Sequence, residues 1–316
     1  MSLNIYDLIA IFLSFINNEI SMIHPSYQRA ILSLFLILIG LPVISQTDTV
    51  IQTRKIYKTI DSTSLYVDQF QSSEQSAAEK PAIIFFHGGG WAFGDPSEFH
   101  GACKRYAALG FVTFSFQYRL SIDENGKAPH PDITPVECVK DARSAVRWVR
   151  ENHKTLRINP DKIVVGGQSV GGQLTLMSYL ADSINEETDN LNISSQPNLM
   201  LLYSSTVNTI EAWCDLMLGD KRKMIWDISP RHNIRKGMPP AIHFHGLDDH
   251  IVKFWTVGFF KREMEKLGNE YQVVTYEGRS HYLGEGNKKY ARLFDEEIME
   301  TTDDFLIKHG YLKIEE

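Results

Sequence analysis

The chain has 316 residues, 43% of them hydrophobic and 22% charged, an ordinary globular balance. A formal net charge of −7, with no run of basic residues, argues against a nucleic-acid partner. No internal repeat and no Pro- or Gly-rich linker divides the sequence, so it reads as one large α/β domain behind a distinct leader.

The leader comes first. Residues 31–44, "ILSLFLILIGLPVI", form an apolar run broken by Gly40 and Pro42, too short for a comfortable membrane span. Arg29 precedes it, and Val43-Ile44-Ser45 offers small or modest residues at the −3 and −1 positions of a signal-peptidase site. Residues 1–45 are therefore expected to be a signal peptide starting at Met22, with residues 1–21 an over-extended start. An uncleaved N-terminal anchor is the rival reading. No cysteine lies near residue 45, which disfavours a lipid anchor, and no stable membrane insertion is expected once the leader is removed.

From residue 46 onward short apolar runs alternate with amphipathic segments. "VIQTRKIYKTI" (50–60) and "SLYVDQF" (64–70) read as an antiparallel pair of strands. "AIIFF" (82–86) is continuously apolar, as a strand covered on both faces should be. "HGACKRYAALG" (100–110) reads as a helix closed by Gly110, and "FVTFSFQYRL" (111–120) as a strand of β-branched and aromatic residues. Apolar residues at helical spacing fill 134–153, with Pro135 near the start. "KIVVGG", "NLMLLYSS", "AIHFH" and "YQVVTYEG" supply four more core strands, with helices near 171–182, 252–267 and 286–308. Strands alternating with helices predict a mostly parallel sheet with helices on both faces. The irregular stretch 204–238 is too long for a crossover loop and is expected to be a small lid over the strand ends. Cys103, Cys138 and Cys214 are too few and too far apart for a disulfide framework and read as buried thiols.

Two motifs carry chemistry. "DKIVVGGQSVGGQL" leads a Val/Ile strand into Gly167-Gln168-Ser169-Val170-Gly171 and then a helix, the strand–turn–helix setting that gives G-x-S-x-G its meaning. Such an elbow presents Ser169 as a nucleophile, with small neighbours because the backbones crowd together. A serine hydroxyl needs a base and an acid that orients that base. His281, on the loop after the last core strand, is the candidate base, while His243 and His245 alternate along a strand and read as packed or supporting residues. Asp248 and Asp249, after the penultimate strand, are both candidate acids, and either could instead cap the helix that follows. The second motif is "FFHGGGW" (85–91), three glycines at the end of a core strand. An attacked carbonyl needs N–H donors for its developing oxyanion, each worth about 3–4 kcal/mol of barrier, and glycines bring backbone close without a Cβ.

Together these residues resemble the hormone-sensitive-lipase-like branch of α/β-hydrolase esterases, and within it secreted bacterial carbohydrate acetyl/feruloyl-esterase-like proteins. The pieces are "HGGGW", "YRL" (118–120), "DARSAVRWVREN" (141–152), "GGQSVGG" (166–172), "KGMPPAIHFHGLDD" (236–249) and "SHYLG" (280–284). The resemblance implies an α/β-hydrolase fold over 46–316 and a triad of Ser169, Asp249 and His281. It also implies oxyanion donors at Gly89, Gly90 and Val170, leaving Gly88 to permit the turn and His87 to brace the loop. Val170 and Tyr282 depart from the family pattern in a way expected to narrow the acyl side.

The resulting expectation is a serine carboxylic-ester hydrolase working through an acyl-enzyme on a short-chain or carbohydrate ester, secreted or periplasmic, without metal or cofactor. A general short-chain esterase or lipase shares every catalytic residue. A prolyl-oligopeptidase-type peptidase has the same residue order but carries a large extra domain for which there is no room. A non-catalytic binding protein on this scaffold is the remaining rival. Trp91, Trp213 and Trp226 are each candidates for the alcohol side or for the core.

Overall fold

The structure, a computed structural model, describes residues 49–74, 78–283 and 295–313. The expected leader, residues 1–45, lies outside them, as does the first part of the helix expected at 286–308. Among the described residues no helix is long and apolar enough to cross a membrane.

Eight strands form one sheet in the order β1-β2-β4-β3-β5-β6-β7-β8. They are β1 (Val50–Ile60), β2 (Thr63–Ser72), β3 (Lys80–Phe86), β4 (Val112–Phe116), β5 (Ile158–Gln168), β6 (Leu199–Tyr203), β7 (Ala241–Gly246) and β8 (Tyr271–Tyr276). β1 and β2 pair antiparallel, and so do β2 and β4, while the rest of the sheet is parallel. The strand expected over 111–120 stops at Phe116, because the chain then turns to serve the glycine loop described below.

The continuously apolar β3 is explained by its two faces. Ile83 and Phe85 pack with α1 (His100–Ala108) and α7 (Glu296–Lys308), whereas Ala82, Ile84 and Phe86 pack on the opposite side. That side holds α2 (Pro135–Glu151), α4 (Val170–Leu180) and α6 (Phe254–Lys266). A strand's side chains alternate between faces, so a strand covered twice must be apolar throughout. The short α3 (His153–Leu156) follows α2, whose start is a full capping box, with Thr134 as N-cap and Glu137 reaching back to the Thr134 backbone N–H. The irregular stretch after β6 carries α5 (Ala212–Leu218) and two 3₁₀ turns, Gly219–Ile225 and Pro230–His232. All three cysteines are free and buried.

A buried ion cluster ties the edge of the sheet to α2. Asp141 accepts from Lys58 on β1 at 2.6 Å and from the Arg119 backbone and guanidinium at 2.8–2.9 Å. Glu186 closes the cluster, 2.9 Å from Lys58 and 2.7 Å from Arg119. Buried charges persist only when each has such partners.

Candidate active site

Ser169 sits between β5 and α4 with φ 55° and ψ −119°, a left-handed backbone that a serine adopts only when its surroundings impose it. Four contacts do so: the Ser169 N–H donates to the Tyr203 carbonyl, and its own carbonyl accepts from the Gly172, Gln173 and Thr206 N–H groups. The flanking glycines are required by space. A Cβ at Gly171 would run into the Phe86 carbonyl oxygen, one at Gly167 into the Gly171 carbonyl, and one at Gly172 into the Ser205 hydroxyl. Val170 is the first residue of α4, so its N–H has no intrahelical acceptor and stands beside Ser169. Its side chain is buried in the main core cluster and does not narrow the cleft, contrary to expectation. Tyr282 does line the cleft.

The glycine loop follows β3. Gly89 and Gly90 have φ of 106° and 62°, in the region that favours glycine, and among the described residues neither N–H has an acceptor. Gly88 corrects the sequence reading, because its backbone is ordinary. A Cβ there would displace the end of the Gln168 side chain, which reaches His281. His87 and Tyr118 stack at 4.3 Å and 16°, the Tyr118 hydroxyl donates to the His87 carbonyl at 2.9 Å, and His87 Nδ1–H donates to the Gly88 carbonyl at 2.8 Å. This is what "YRL" does: Tyr118 props the loop and Arg119 anchors the prop to Asp141. Burial pushes the His87 imidazole down to about 4, so it is neutral at physiological pH.

His281 and Asp249 come together from the ends of β8 and β7. His281 Nδ1 lies 2.8 Å from Asp249 Oδ2, and both side chains are buried. Asp249 Oδ1 accepts from the Ile251 and Val252 N–H groups at 2.9 and 2.8 Å, so the carboxylate is fixed at both oxygens. Asp248 has its side chain in solvent, so of the two aspartates left open by the sequence Asp249 is the one that reaches the histidine. Gly246 makes this possible: a Cβ there would strike the Arg279 carbonyl, so only glycine lets the two strand-end loops touch. An acceptor-only carboxylate implies that Nδ1 carries the His281 proton and that Nε2 is the acceptor.

That acceptor is already engaged. Gln168 Nε2 stands 3.1 Å from His281 Nε2, a contact the sequence reading missed because the middle position before the serine of G-x-S-x-G carries no chemical constraint of its own. Behind Asp249 lie two buried histidines. His245 Nε2 is 3.0 Å from the Val252 carbonyl and 3.5 Å from Asp249 Oδ2, while His243 Nε2 accepts from the Ser205 N–H. Burial holds both imidazoles below their usual range.

Ser169, His281, Gly89, Gly90 and Gln168 open onto one cleft of about 630 Å³. Its far wall comes from the excursion after β6, including Glu211, Trp213 and Leu216. The three tryptophans separate here: Trp91 is fully buried, Trp213 lines the cleft, and Trp226 faces solvent edge-on to His232.

The sheet order and the elbow at its centre define an α/β-hydrolase. The BD-FAE family profile matches residues 68–263, more than half of the sequence. The chain belongs to the BD-FAE family, in the esterase branch of the α/β-hydrolases. Thermogutta terrifontis esterase 2 with propionate bound superposes with a TM-score of 0.75 at 30% identity, covering 84% of this chain and 97% of that one. Lipase 2 of a Moraxella species is 31% identical over 35% of this chain and 24% of its own length. An acetylxylan esterase of Xylanibacter ruminicola is 28% identical over 65% of this chain and 41% of its own. The chain thus spans less than half the length of either of these two curated relatives.

Proposed function

We propose that the protein is a serine carboxylesterase acting on short acyl esters, specifically acetyl groups carried by a carbohydrate. The observation that carries the reading is the buried His281–Asp249 hydrogen bond opening onto the same cleft as a serine held at φ 55°. In this reading His281 Nε2 takes the Ser169 proton as Oγ attacks the ester carbonyl. Asp249 stabilises the imidazolium that forms, and the Gly89, Gly90 and Val170 N–H groups receive the oxyanion. His281 then gives its proton to the departing alkoxide, leaving an acyl-serine. Water attacks that ester with His281 again as base, releasing the carboxylic acid and restoring Ser169.

Acetyl preference on a sugar is supported by likeness to the acetylxylan esterase of Xylanibacter ruminicola. A general short-chain esterase is the second reading, favoured by Thermogutta terrifontis esterase 2 having been solved with propionate and with butyrate bound. Export fits the apolar run 31–44 and its small-residue boundary, and N-terminal sequencing of the expressed protein checks it, with Ser45 as the expected last residue removed.

Two measurements test the catalytic reading. Ser169→Ala is expected to abolish ester turnover, and unchanged turnover refutes the mechanism. Rates on acetate, butyrate and octanoate esters are expected to fall with chain length, and a best rate on octanoate rules out the short-acyl assignment.

A further inference from the structure

Two tryptophans from distant parts of the chain stack at the cleft. Trp91 follows the glycine loop directly and has φ 60°, although a left-handed backbone costs a bulky residue roughly 1–2 kcal/mol. It is held there from three sides. Its Nε1–H donates to Gln173 Oε1 at 3.2 Å, its carbonyl accepts from the Ser121 N–H at 2.7 Å, and its ring lies under Trp213 at 5.0 Å and 29°. Gln173 in turn donates to the Ile228 carbonyl at 2.8 Å, so one residue of α4 anchors both the glycine loop and the far end of the excursion. Trp213 is itself pinned, its Nε1–H donating to Glu211 Oε2 at 2.9 Å. One of its faces is covered by Trp91, yet 37% of the residue remains exposed, and it borders the cleft that holds Ser169 and His281.

We infer that Trp213 and Glu211 form the platform that binds the pyranose ring of the substrate's alcohol moiety. A rigid indole whose polar edge is already satisfied offers the apolar ring face of a sugar a flat partner, with its ordering cost already met by the fold. Beside it, Glu211 has a second oxygen, Oε1, that makes no hydrogen bond among the described residues and can accept from sugar hydroxyls. A carboxylate at the edge of the platform rewards a ring bearing hydroxyl donors over an unsubstituted hydrocarbon, because burying an unpaired charge against an apolar group is costly. Trp226 is excluded from this role by its position, exposed and packed on His232 away from the cleft lining.

This inference rests on the esterase reading above, and the experiment separates the two. The kcat/KM values of the intact protein are measured on an acetylated xylo-oligosaccharide and on ethyl acetate, whose alcohol carries no sugar ring. Trp213→Ala is expected to lower the oligosaccharide-to-ethyl-acetate ratio about tenfold, mainly through KM, which corresponds to about 1.4 kcal/mol. Trp213→Phe should recover most of the ratio, Glu211→Gln should lower it, and Trp226→Ala should leave it alone. Equal losses on both substrates, no loss on the oligosaccharide, or a wild-type protein that cleaves only ethyl acetate each overturn the platform. Xylo-oligosaccharide binding to Ser169→Ala, followed by isothermal titration calorimetry, is expected to persist and to vanish in Ser169→Ala/Trp213→Ala. Ester turnover retained in Ser169→Ala defeats the catalytic reading, whereas absent sugar binding defeats only the platform.

Discussion

His281 has a single in-plane lone pair on Nε2, and Gln168 Nε2 lies 3.1 Å from it. In the proposed mechanism that lone pair must accept the Ser169 proton, so Gln168 and Ser169 compete for it. A hydrogen bond of this kind is worth about 1 kcal/mol net, or roughly fivefold in rate. Gln168→Leu is therefore expected to speed the acylation burst with p-nitrophenyl acetate by up to about fivefold. A slower burst would mean that the amide orients the imidazole instead. At this scale the sequence was silent, since a glutamine before the elbow serine has no signature until the loop after β8 folds back over it.

At the scale of the element, the glycine loop separates conformation from space. Gly89 needs both: its φ is 106°, and a Cβ would collide with the Phe93 carbonyl. Gly90 needs only the conformation, since nothing stands within 4 Å of where its Cβ would be. Gly90→Ala is thus expected to fold with a loss of about 1–2 kcal/mol, the cost of a left-handed L-residue. Gly89→Ala should lose distinctly more, because backbone must move. Denaturant unfolding midpoints of the two variants check the order, and equal midpoints would contradict it. The motif was legible as a short run of letters, but the separate duties of Gly88, Gly89 and Gly90 depend on what lies opposite each one.

Across the whole molecule, stability is carried by buried polar groups as well as by the two apolar layers. Burial holds His87 at about 4 and puts His243 and His245 below their usual range. An unfolded histidine titrates near 6.5, so between roughly pH 6.5 and 4 the unfolded chain binds protons that the folded chain refuses. Stability must fall as the pH drops through that window, by about 3 kcal/mol for His87 alone at full extent. Urea unfolding from pH 7 to 4.5 should show the decline, and His87→Gln should make it shallower. An unaltered slope would assign the effect elsewhere. Asp141 offers a second test at this scale, because it joins Lys58 of β1, Arg119 and α2. Asp141→Ala leaves Lys58 and Arg119 to share Glu186 as carboxylate partner and is expected to cost about 3–5 kcal/mol, read as a lowered thermal midpoint.

Much of this was readable from residue order. Unbroken apolar runs announce strands covered on both faces, and Gly-x-Ser-x-Gly between a strand and a helix announces an elbow, because in each case the constraint acts between neighbours in the chain. Ser169 and the glycine loop belong to that class. What the tertiary structure decided are the meetings between distant segments. It distinguished Asp249 from Asp248 through contact with His281, set Gln168 on Nε2 and turned the Val170 side chain into the core. It also sent Trp91 inward and Trp213 to the cleft. Local spacing cannot decide such choices, since each depends on which surface another part of the chain brings up against the residue when the sheet closes.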